Sequence, residues 1–199
     1  MIYQSKEGET PLDDLSGLKV RIPNITRSQL DVVEAENIQD ALLKYINPRR
    51  IRRFDAKFFQ TLHKSMFGDV WDWAGIFRDS QTNIGSAPAT IYQDFIILER
   101  DLEVWPHEME SAVRLHHRAV QIHPFKGGNG RWSRLLSDLW LQKYTGMTTR
   151  WPEGIEQESP IRTDYLTALR EADALNYEPL LELHTKYLQK SRTYFLPPR

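Results

Sequence analysis

Apolar residues recur at helical spacing along most of this 199-residue chain, and this pattern limits the fold more than any other feature. In residues 27–46, for example, Leu30, Ala41 and Leu42 lie near one helical stripe, with Ser28 as a candidate N-cap. Segments that alternate with a period of two residues, as half-buried strands do, are almost absent. The sequence therefore predicts an all-α fold, a compact bundle of six to eight helices.

The chain divides into an irregular leader and one domain. Residues 1–26 contain Gly, Pro and clustered polar residues, which predict a leader without regular structure. Residues 27–199 suit a single domain that starts with a helix at about 27–46. Within it, residues 75–91 (GIFRDSQTNIGSAPATI) lack helical spacing. We expect a short β-hairpin flap there.

The composition excludes several classes of protein and site. Lysine and arginine total 26 against 27 acidic residues, so no general excess of positive charge favours nucleic acid. The absence of cysteine removes disulfides, thiolate zinc sites and a cysteine nucleophile. No apolar run approaches the ~18 residues that span a bilayer, and no signal peptide is recognisable at the start. We expect a cytoplasmic protein that has no membrane partner.

The stretch HPFKGGNGRWSR, residues 123–134, lies between two helical patterns and has the composition of an anion site. The amides at the start of a helix are unpaired and carry partial positive charge, so they bind phosphate readily. The glycines at 127, 128 and 130 allow backbone amides to converge on one anion. This stretch is neither a Walker A loop nor a dinucleotide-binding turn, because the Lys–Ser/Thr pair and the preceding strand are missing.

Three side chains add chemistry to this turn. Arg131 and Arg134 are three residues apart, so they lie near one face of the new helix and suit a di- or triphosphate. His123 is the group here whose ordinary pKa lies near neutrality, and it could activate a hydroxyl. These residues favour a phosphate site with a histidine base, but a structural Gly-rich turn with a structural histidine stays open.

The same residues resemble a known family. His123, Phe125, the run Gly128-Asn129-Gly130-Arg131 and Arg134 match the Fic signature H-x-F-x-(D/E)-G-N-G-R-x-x-R at every fixed position but one. The preceding LHKSMFGDVWDWAGIFR and TNIGSAPATI resemble the helix, turn and flap of Fic domains. The leader, the first helix and the stretch RTDYLTALREAD further resemble the Fic subfamily called mobile mystery protein B, which is found with bacterial mobile elements.

The resemblance implies a protein nucleotidyltransferase that moves AMP from ATP to a Tyr, Ser or Thr hydroxyl of a target protein. His123 would be the general base, and Gly128, Asn129 and Gly130 would form the anion hole. Arg131 and Arg134 would bind phosphates, with Arg134 at the γ-phosphate. Glycine at position 130 favours AMP transfer, because Doc-type Fic kinases have lysine there.

Gly127 is the departure from the signature. Family members that bind Mg²⁺ through this motif carry Asp or Glu at this position, and glycine supplies no metal ligand from a side chain. We expect ATP as substrate together with Mg²⁺ or Mn²⁺, here without the usual protein carboxylate and with no metal-ligating residue in the chain. Gly127 itself is counted with the phosphate-binding loop.

The resemblance also suggests regulation and target docking. Many Fic proteins carry an inhibitory helix, (S/T)-x-x-x-E-(G/N), whose Glu pairs with the second arginine of the signature. Residues 32–37 (VVEAEN) place Glu36 at the matching position, although Val32 replaces the Ser or Thr. Glu36 is thus expected to pair with Arg134. The flap residues expected to dock a target segment through their backbone are Thr82, Asn83, Ile84 and Gly85.

The remaining polar residues are interpreted as structural. His116 and His117 are adjacent on a helix and point about 100° apart, so they do not suit a metal pair. His63 and His184 are assigned to the core. Asp138 follows Arg134 by four residues and is expected to orient it.

Two alternatives remain beside the enzyme. Gly127 favours a degenerate Fic protein that binds nucleotide as a regulator with little or no transfer. A DNA-binding helical module is disfavoured by the near-zero net charge. The expected partner is an unidentified target protein, with self-modification also open, and the sequence makes no prediction of the oligomeric state.

Overall fold

The computed structural model describes residues 15–45, 47, 51 and 53–191, and the described part is predominantly helical. This confirms the predicted all-α class. The seven α-helices found within these residues are α1 Arg27–Tyr45, α2 Ala56–Phe67, α3 Ile91–Val104, α4 Met109–Ile122, α5 Asn129–Thr145, α6 Pro160–Asp173 and α7 Glu178–Lys186. Two short strands, β1 Met147–Thr149 and β2 Leu188–Lys190, pair antiparallel.

The leader prediction is testable only in part, because residues 1–14 lie outside the described residues. Residues 15–26 contain no helix. Their contact with the domain includes one isolated antiparallel bridge, between Leu18 and Trp71.

The N-cap of helix α1 is Thr26, two residues before the predicted cap. The Thr26 hydroxyl accepts a hydrogen bond from the Gln29 amide (3.3 Å), and the Gln29 side chain accepts one from the Thr26 amide (2.9 Å). This reciprocal pair is a capping box, which satisfies two of the backbone donors that a helix start leaves unpaired. The prediction of Ser28 as the cap is therefore wrong.

The main core is built around aromatic rings from four elements. Phe59 of α2, Phe95 of α3 and Trp132 of α5 are fully buried, and their ring centroids lie 5.1–6.4 Å apart. Phe125, from the loop between α4 and α5, packs edge-on against Trp132 at 5.1 Å. Large buried rings dominate core energetics, so Phe125 anchors that loop to the main core.

A second, smaller core joins α4 to the C-terminal helices. It contains Val113 of α4, Tyr165 and Leu169 of α6, and Leu180 of α7. The short β1–β2 sheet lies directly after α5 and α7 in the chain. No helix of the described residues is long and apolar enough to cross a membrane.

Candidate active site

The loop between α4 and α5 departs from helical geometry at both ends. His123 caps α4 in the left-handed region (φ 47°, ψ 60°), and Gly128 caps the start of α5 in the same region (φ 74°). The side chain of Asn129, the first residue of α5, closes the loop. Its Oδ1 accepts from the Phe125 amide at 2.9 Å, and its Nδ2 donates to the Phe125 carbonyl at 2.8 Å. The first amides of α5 are therefore held at one place, as an anion site requires.

Gly128 is required here for two reasons. A positive φ disfavours any residue with a Cβ. In addition, a Cβ at this position would lie 2.5 Å from Cζ of Phe67, which is fully buried. At Gly130, by contrast, a Cβ would meet Nη1 of Arg134 at an ordinary 3.6 Å.

His123 is held in its neutral form. Burial and, second to it, the positive charge of Arg78 lower its pKa to about 4, against a smaller opposing effect of the Val120 carbonyl. Nδ1 is buried and receives no hydrogen bond of good geometry from the described residues. The imidazole is therefore unprotonated at neutral pH, as a general base has to be.

His63, assigned to the core from the sequence, holds the glycine-rich turn from behind. Its Nδ1 accepts from the Gly75 amide at 2.9 Å, so its Nε2–H donates to the Gly127 carbonyl at 3.0 Å. Burial lowers the pKa of His63 to about 3, which keeps this tautomer uncharged. The ring stacks on Phe125 at 3.7 Å, so His63 fixes both the backbone at Gly127 and the anchor of the loop.

Each of the two arginines after the loop is paired with a carboxylate from another element. Arg131 Nη1 lies 2.6 Å from Oε2 of Glu34 in α1, and Trp71 donates to the other oxygen of Glu34 at 2.6 Å. Arg134 forms an ion pair with Glu156, which ends the 3₁₀ turn Glu153–Glu156. Both guanidinium groups that were predicted to bind phosphate thus contact anionic oxygens already.

The predicted pairing of Glu36 with Arg134 is wrong. Glu36 is exposed, whereas Glu34, two residues earlier, is buried and contacts Arg131. Two residues turn an α-helix by about 200°, so α1 cannot direct both side chains at the domain. Glu34 follows Leu30 by one helical turn on the buried face, and that spacing was the signal in the sequence.

The flap segment differs from the predicted hairpin. Residues 79–87 form bends without paired strands among the described residues, and the isolated bridge there joins Phe77 to Phe125. Ile84 is exposed to 53% and Asn83 is exposed as well, while Thr82 donates to the Ile84 carbonyl at 2.5 Å. The segment contacts the loop between α4 and α5 and does not pair with a second strand. Its polar residues bond to nearby backbone groups, which competes with strand pairing.

Gly85 brings this segment onto the histidine. Its φ is 108°, and a Cβ there would lie 2.7 Å from Cβ of His123. The segment predicted to dock a target therefore borders the predicted base.

A chain of buried polar groups lies behind Arg134. His116 bonds to Tyr165 (3.0 Å) and to His184 (2.9 Å), and His184 bonds to the Thr149 hydroxyl (2.9 Å). The Arg134 guanidinium lies over the Tyr165 ring, 5.5 Å from its centroid. Burial and the charges of neighbouring groups lower the pKa of His116, and burial lowers that of His184 to about 3. The core assignment of His184 agrees with this geometry.

Asp138 does not pair with Arg134 as expected. Its Oδ1 accepts from the Thr149 amide at 3.1 Å, and Glu156 is the ion-pair partner of Arg134. Burial raises the pKa of Asp138 to about 8, against the weaker opposing effects of Thr149 and Arg134. A carboxyl that is largely protonated at neutral pH cannot serve as the counterion.

The loop does not suit a metal ion held by protein carboxylates. Residues 123–134 contain no Asp or Glu, and Gly127 contributes its carbonyl to His63. Across the described ranges, no three His, Cys, Asp or Glu side chains converge as a metal site would require. A divalent ion at this loop would therefore receive no carboxylate ligand from residues 123–134.

Three functional candidates escaped the sequence-based predictions: Glu34, Glu156 and Arg78. Glu156 lies 22 residues beyond Arg134 in an irregular segment, so no local spacing could signal its contact. Arg78 stands in a stretch without helical period, where sequence spacing does not define a face. Only for Glu34 was the helical spacing of the sequence sufficient to predict that the side chain faces the domain.

Comparisons with known proteins match the chain to one family. Residues 53–141 match the model of the Fic/DOC family. The protein adenylyltransferase Fic of Aedes aegypti is 32% identical over 148 residues, which cover 67% of this chain and 29% of that protein. The protein of the same name from Drosophila melanogaster is 32% identical over 115 residues, covering 52% and 23%. The chain thus spans less than a third of the length of these curated relatives.

Solved structures share the fold. BepC, a VirB-translocated effector protein of Bartonella tribocorum with bound AMPPNP, aligns at a TM-score of 0.66 and 20% identity, covering 94% of this chain and 97% of that one. An N-terminal Fic domain of Bartonella quintana with bound ADP aligns at 0.65 and 19%, covering 94% and 98%. A segment of Fic-1 from C. elegans aligns at 0.65 and 20%, covering 84% and 50%.

Proposed function

The chain carries a Fic/DOC family domain at residues 53–141, and on that premise we propose that it is a protein adenylyltransferase. It moves AMP from ATP to a Tyr, Ser or Thr hydroxyl of a target protein, or of the chain itself. The observation that carries the proposal is the neutral imidazole of His123, which lies directly before the phosphate-binding start of α5. The relatives from insects bear the name of this activity.

The reaction follows from these groups. The target hydroxyl attacks the α-phosphorus of ATP and passes its proton to Nε2 of His123, while the bond from the α-phosphorus to the bridging oxygen breaks and pyrophosphate leaves. The amides of Gly127, Gly128, Asn129 and Gly130, together with Arg131, stabilise negative charge on the phosphates. Arg134 reaches the terminal phosphate. No metal ligand of the protein takes part in these steps.

Autoinhibition belongs to the same proposal, although the contacts differ from those expected. Glu34 occupies Arg131 and Glu156 occupies Arg134, so a triphosphate has to displace or share both ion pairs. Glu34 makes the stronger inhibitory contact, because it is buried and also bonded to Trp71. Glu36 could act only after a rotation of α1.

The proposal also covers the cellular location and the subfamily of the protein. We propose that the protein acts in the cytoplasm, and its lack of cysteine is compatible with that compartment. The assignment to mobile mystery protein B, and with it to bacterial mobile elements, rests on sequence resemblance alone.

A nucleotide-binding regulator is the second candidate. Gly127 removes the family's metal ligand, and both arginines are paired with carboxylates, so slow or absent turnover is consistent with the site. Such a protein would bind ATP without transferring any part of it.

The two candidates separate in one assay. The protein is incubated with α-labelled ATP, UTP, GTP or CTP, with Mg²⁺ or Mn²⁺, and covalent label is measured. We expect label from ATP in the wild type and none in His123→Ala, while the same change at the exposed His107 leaves labelling intact. ATP binding without label in the wild type would favour the regulator.

A further inference from the structure

Arg78 is a buried arginine that lies outside the signature. Its side chain and backbone are exposed to only 5%, and no ion pair of the described residues includes it. Instead, each nitrogen of the guanidinium donates to a backbone carbonyl: Nε to His123 at 2.7 Å, Nη1 to Ser80 at 2.8 Å and Nη2 to Ser86 at 2.5 Å. Burying a charge without a counterion is costly, so this arrangement calls for a compensating role.

The contacts of Arg78 connect two segments that the proposed reaction has to align. Ser80 and Ser86 flank the tip of the flap segment, and His123 bears the base. The backbone adds two more bonds between the same segments, from the Arg78 amide to the Pro124 carbonyl (3.0 Å) and from the Ser86 amide to the Ile122 carbonyl (3.1 Å). The guanidinium thus lies at the centre of a small set of bonds between flap and loop.

The backbone of His123 needs such support. A non-glycine residue at φ 47° is in a sparsely populated region and persists only when its surroundings fix it. The bond from Arg78 to the His123 carbonyl sets the orientation of the peptide that follows the imidazole. A planar guanidinium with three donors in fixed directions can hold three carbonyls at once, which an ammonium on a flexible stem cannot.

We propose that Arg78 is a positioning residue of the transfer reaction, which fixes the target-docking segment 80–86 to the backbone of His123. This inference rests on the proposed adenylyltransferase function. A target hydroxyl docked on the segment then meets the imidazole at a set distance, so the rate depends on Arg78 while ATP binding, which uses the other end of the loop, does not.

The test compares three variants with the wild type for single-turnover self-modification and for the Kd of ATP. Arg78→Gln removes the charge and two of the three bonds, Arg78→Lys keeps the charge without the fork, and Arg53→Gln makes the same change at an exposed arginine. We expect both Arg78 variants to lose about 10²-fold in rate, with Kd within about threefold. Arg53→Gln should match the wild type.

A titration of His123 by NMR separates charge from position. Burial keeps its pKa below the usual value in every variant, but the pKa should rise in Arg78→Gln and stay unchanged in Arg78→Lys, because the positive charge of Arg78 adds to the effect of burial. Slow transfer in Arg78→Lys with an unchanged His123 pKa supports positioning. A wild-type rate in Arg78→Lys overturns it.

Gly85→Ala guards against variants that fail to fold. A Cβ there would lie 2.7 Å from Nη2 of Arg78 and equally close to Cβ of His123, so the variant disturbs the contact between segment and loop while the arginine remains. The expected result is the same loss of rate at unchanged ATP affinity, and a loss of affinity as large as the loss of rate overturns the proposal.

If the wild type transfers no AMP, the adenylyltransferase proposal fails on its own. Protease cleavage within 80–86 that appears in Arg78→Lys still supports the linkage, and its absence contradicts it.

Discussion

At the scale of single residues, His123 has the properties of a base that is always available. Its imidazole is neutral at physiological pH, because burial and Arg78 disfavour the charged form. The cost is weak basicity, since an optimal general base has a pKa near the working pH. Bound nucleotide changes that balance, as its phosphates bring negative charge to a site that is otherwise positive.

We predict that His123 titrates at a pKa of about 4 without nucleotide, and that a non-hydrolysable ATP analogue raises this pKa. Phosphate anions favour the imidazolium, so the shift is upward. In the free protein the base is therefore present throughout the neutral range and is lost only as the pH falls towards 4. Histidine Cε1–Hε1 NMR signals, assigned with His123→Gln, measure both values. A pKa near 6.5 in the free protein would contradict the account.

Gly128 offers a second prediction at this scale, with an internal control. Gly128 and Gly146 both have φ near 70°, but a Cβ would overlap Phe67 at Gly128 and meets nothing within 4 Å at Gly146. Gly146→Ala should cost about 1–2 kcal/mol of unfolding free energy from backbone strain alone. Gly128→Ala should cost more and also weaken ATP binding.

Urea unfolding and ATP titration of the two glycine variants check this. Equal losses of stability, with ATP affinity retained in both, would show that the contact between Gly128 and Phe67 does not shape the phosphate loop.

At the scale of elements, helix α1 is the candidate inhibitory element. Its buried face carries Glu34 onto Arg131, which the proposed reaction needs for phosphate. We predict that Glu34→Gln tightens ATP binding and raises self-modification, because the arginine loses a competing anion. Glu36→Gln, the same change on the exposed face, should alter neither.

The pair of variants is compared by ATP titration and by the rate of self-modification, with urea unfolding to account for the lost ion pair. An effect confined to Glu36→Gln would restore the sequence-based assignment and refute the present one.

These elements also show what the sequence could and could not predict. Helix α1 was predicted within one residue of its observed end, since its apolar spacing is regular, and the loop from His123 to Arg134 was assigned to the family that the comparisons support. The spacing also contained Glu34, but the family pattern drew attention to Glu36 instead.

The remaining differences have a common physical cause. The flap was predicted as a hairpin, yet Arg78 bonds to it and to the loop through three acceptors that come from distant or irregular segments. Glu156 reaches Arg134 from a 3₁₀ turn after β1. Tertiary contacts of this kind leave no periodic trace in a single sequence.

At the scale of the whole molecule, buried neutral histidines make stability depend on pH. His63, His116 and His184 are fully buried, and burial lowers the pKa of each below its usual value. Below about pH 6.5 the unfolded chain takes up protons there that the folded protein does not, at about 1.4 kcal/mol per pH unit for each group. His123, whose pKa is lowered to about 4, acts in the same direction, whereas Asp138, whose pKa is raised to about 8, is the one group that opposes these four.

The urea concentration at the unfolding midpoint should therefore decrease as the pH is lowered from 7.5 to 5.5. Carboxylates with ordinary pKa values stay ionised in both states over this interval, so the buried histidines dominate. Replacing the exposed His107 by Gln should leave the pH dependence unchanged. A midpoint that is constant or rises towards pH 5.5 would contradict the dominance of the buried histidines over Asp138.

The central claim is that the loop of His123 transfers AMP despite glycine at position 127. The most direct measurement incubates the wild-type protein with ATP labelled at either the α- or the γ-phosphate and follows covalent label. The account predicts label from the α-phosphate alone, with pyrophosphate released and no label in His123→Ala. Label from the γ-phosphate, or no label at ATP concentrations that saturate the site, would contradict it.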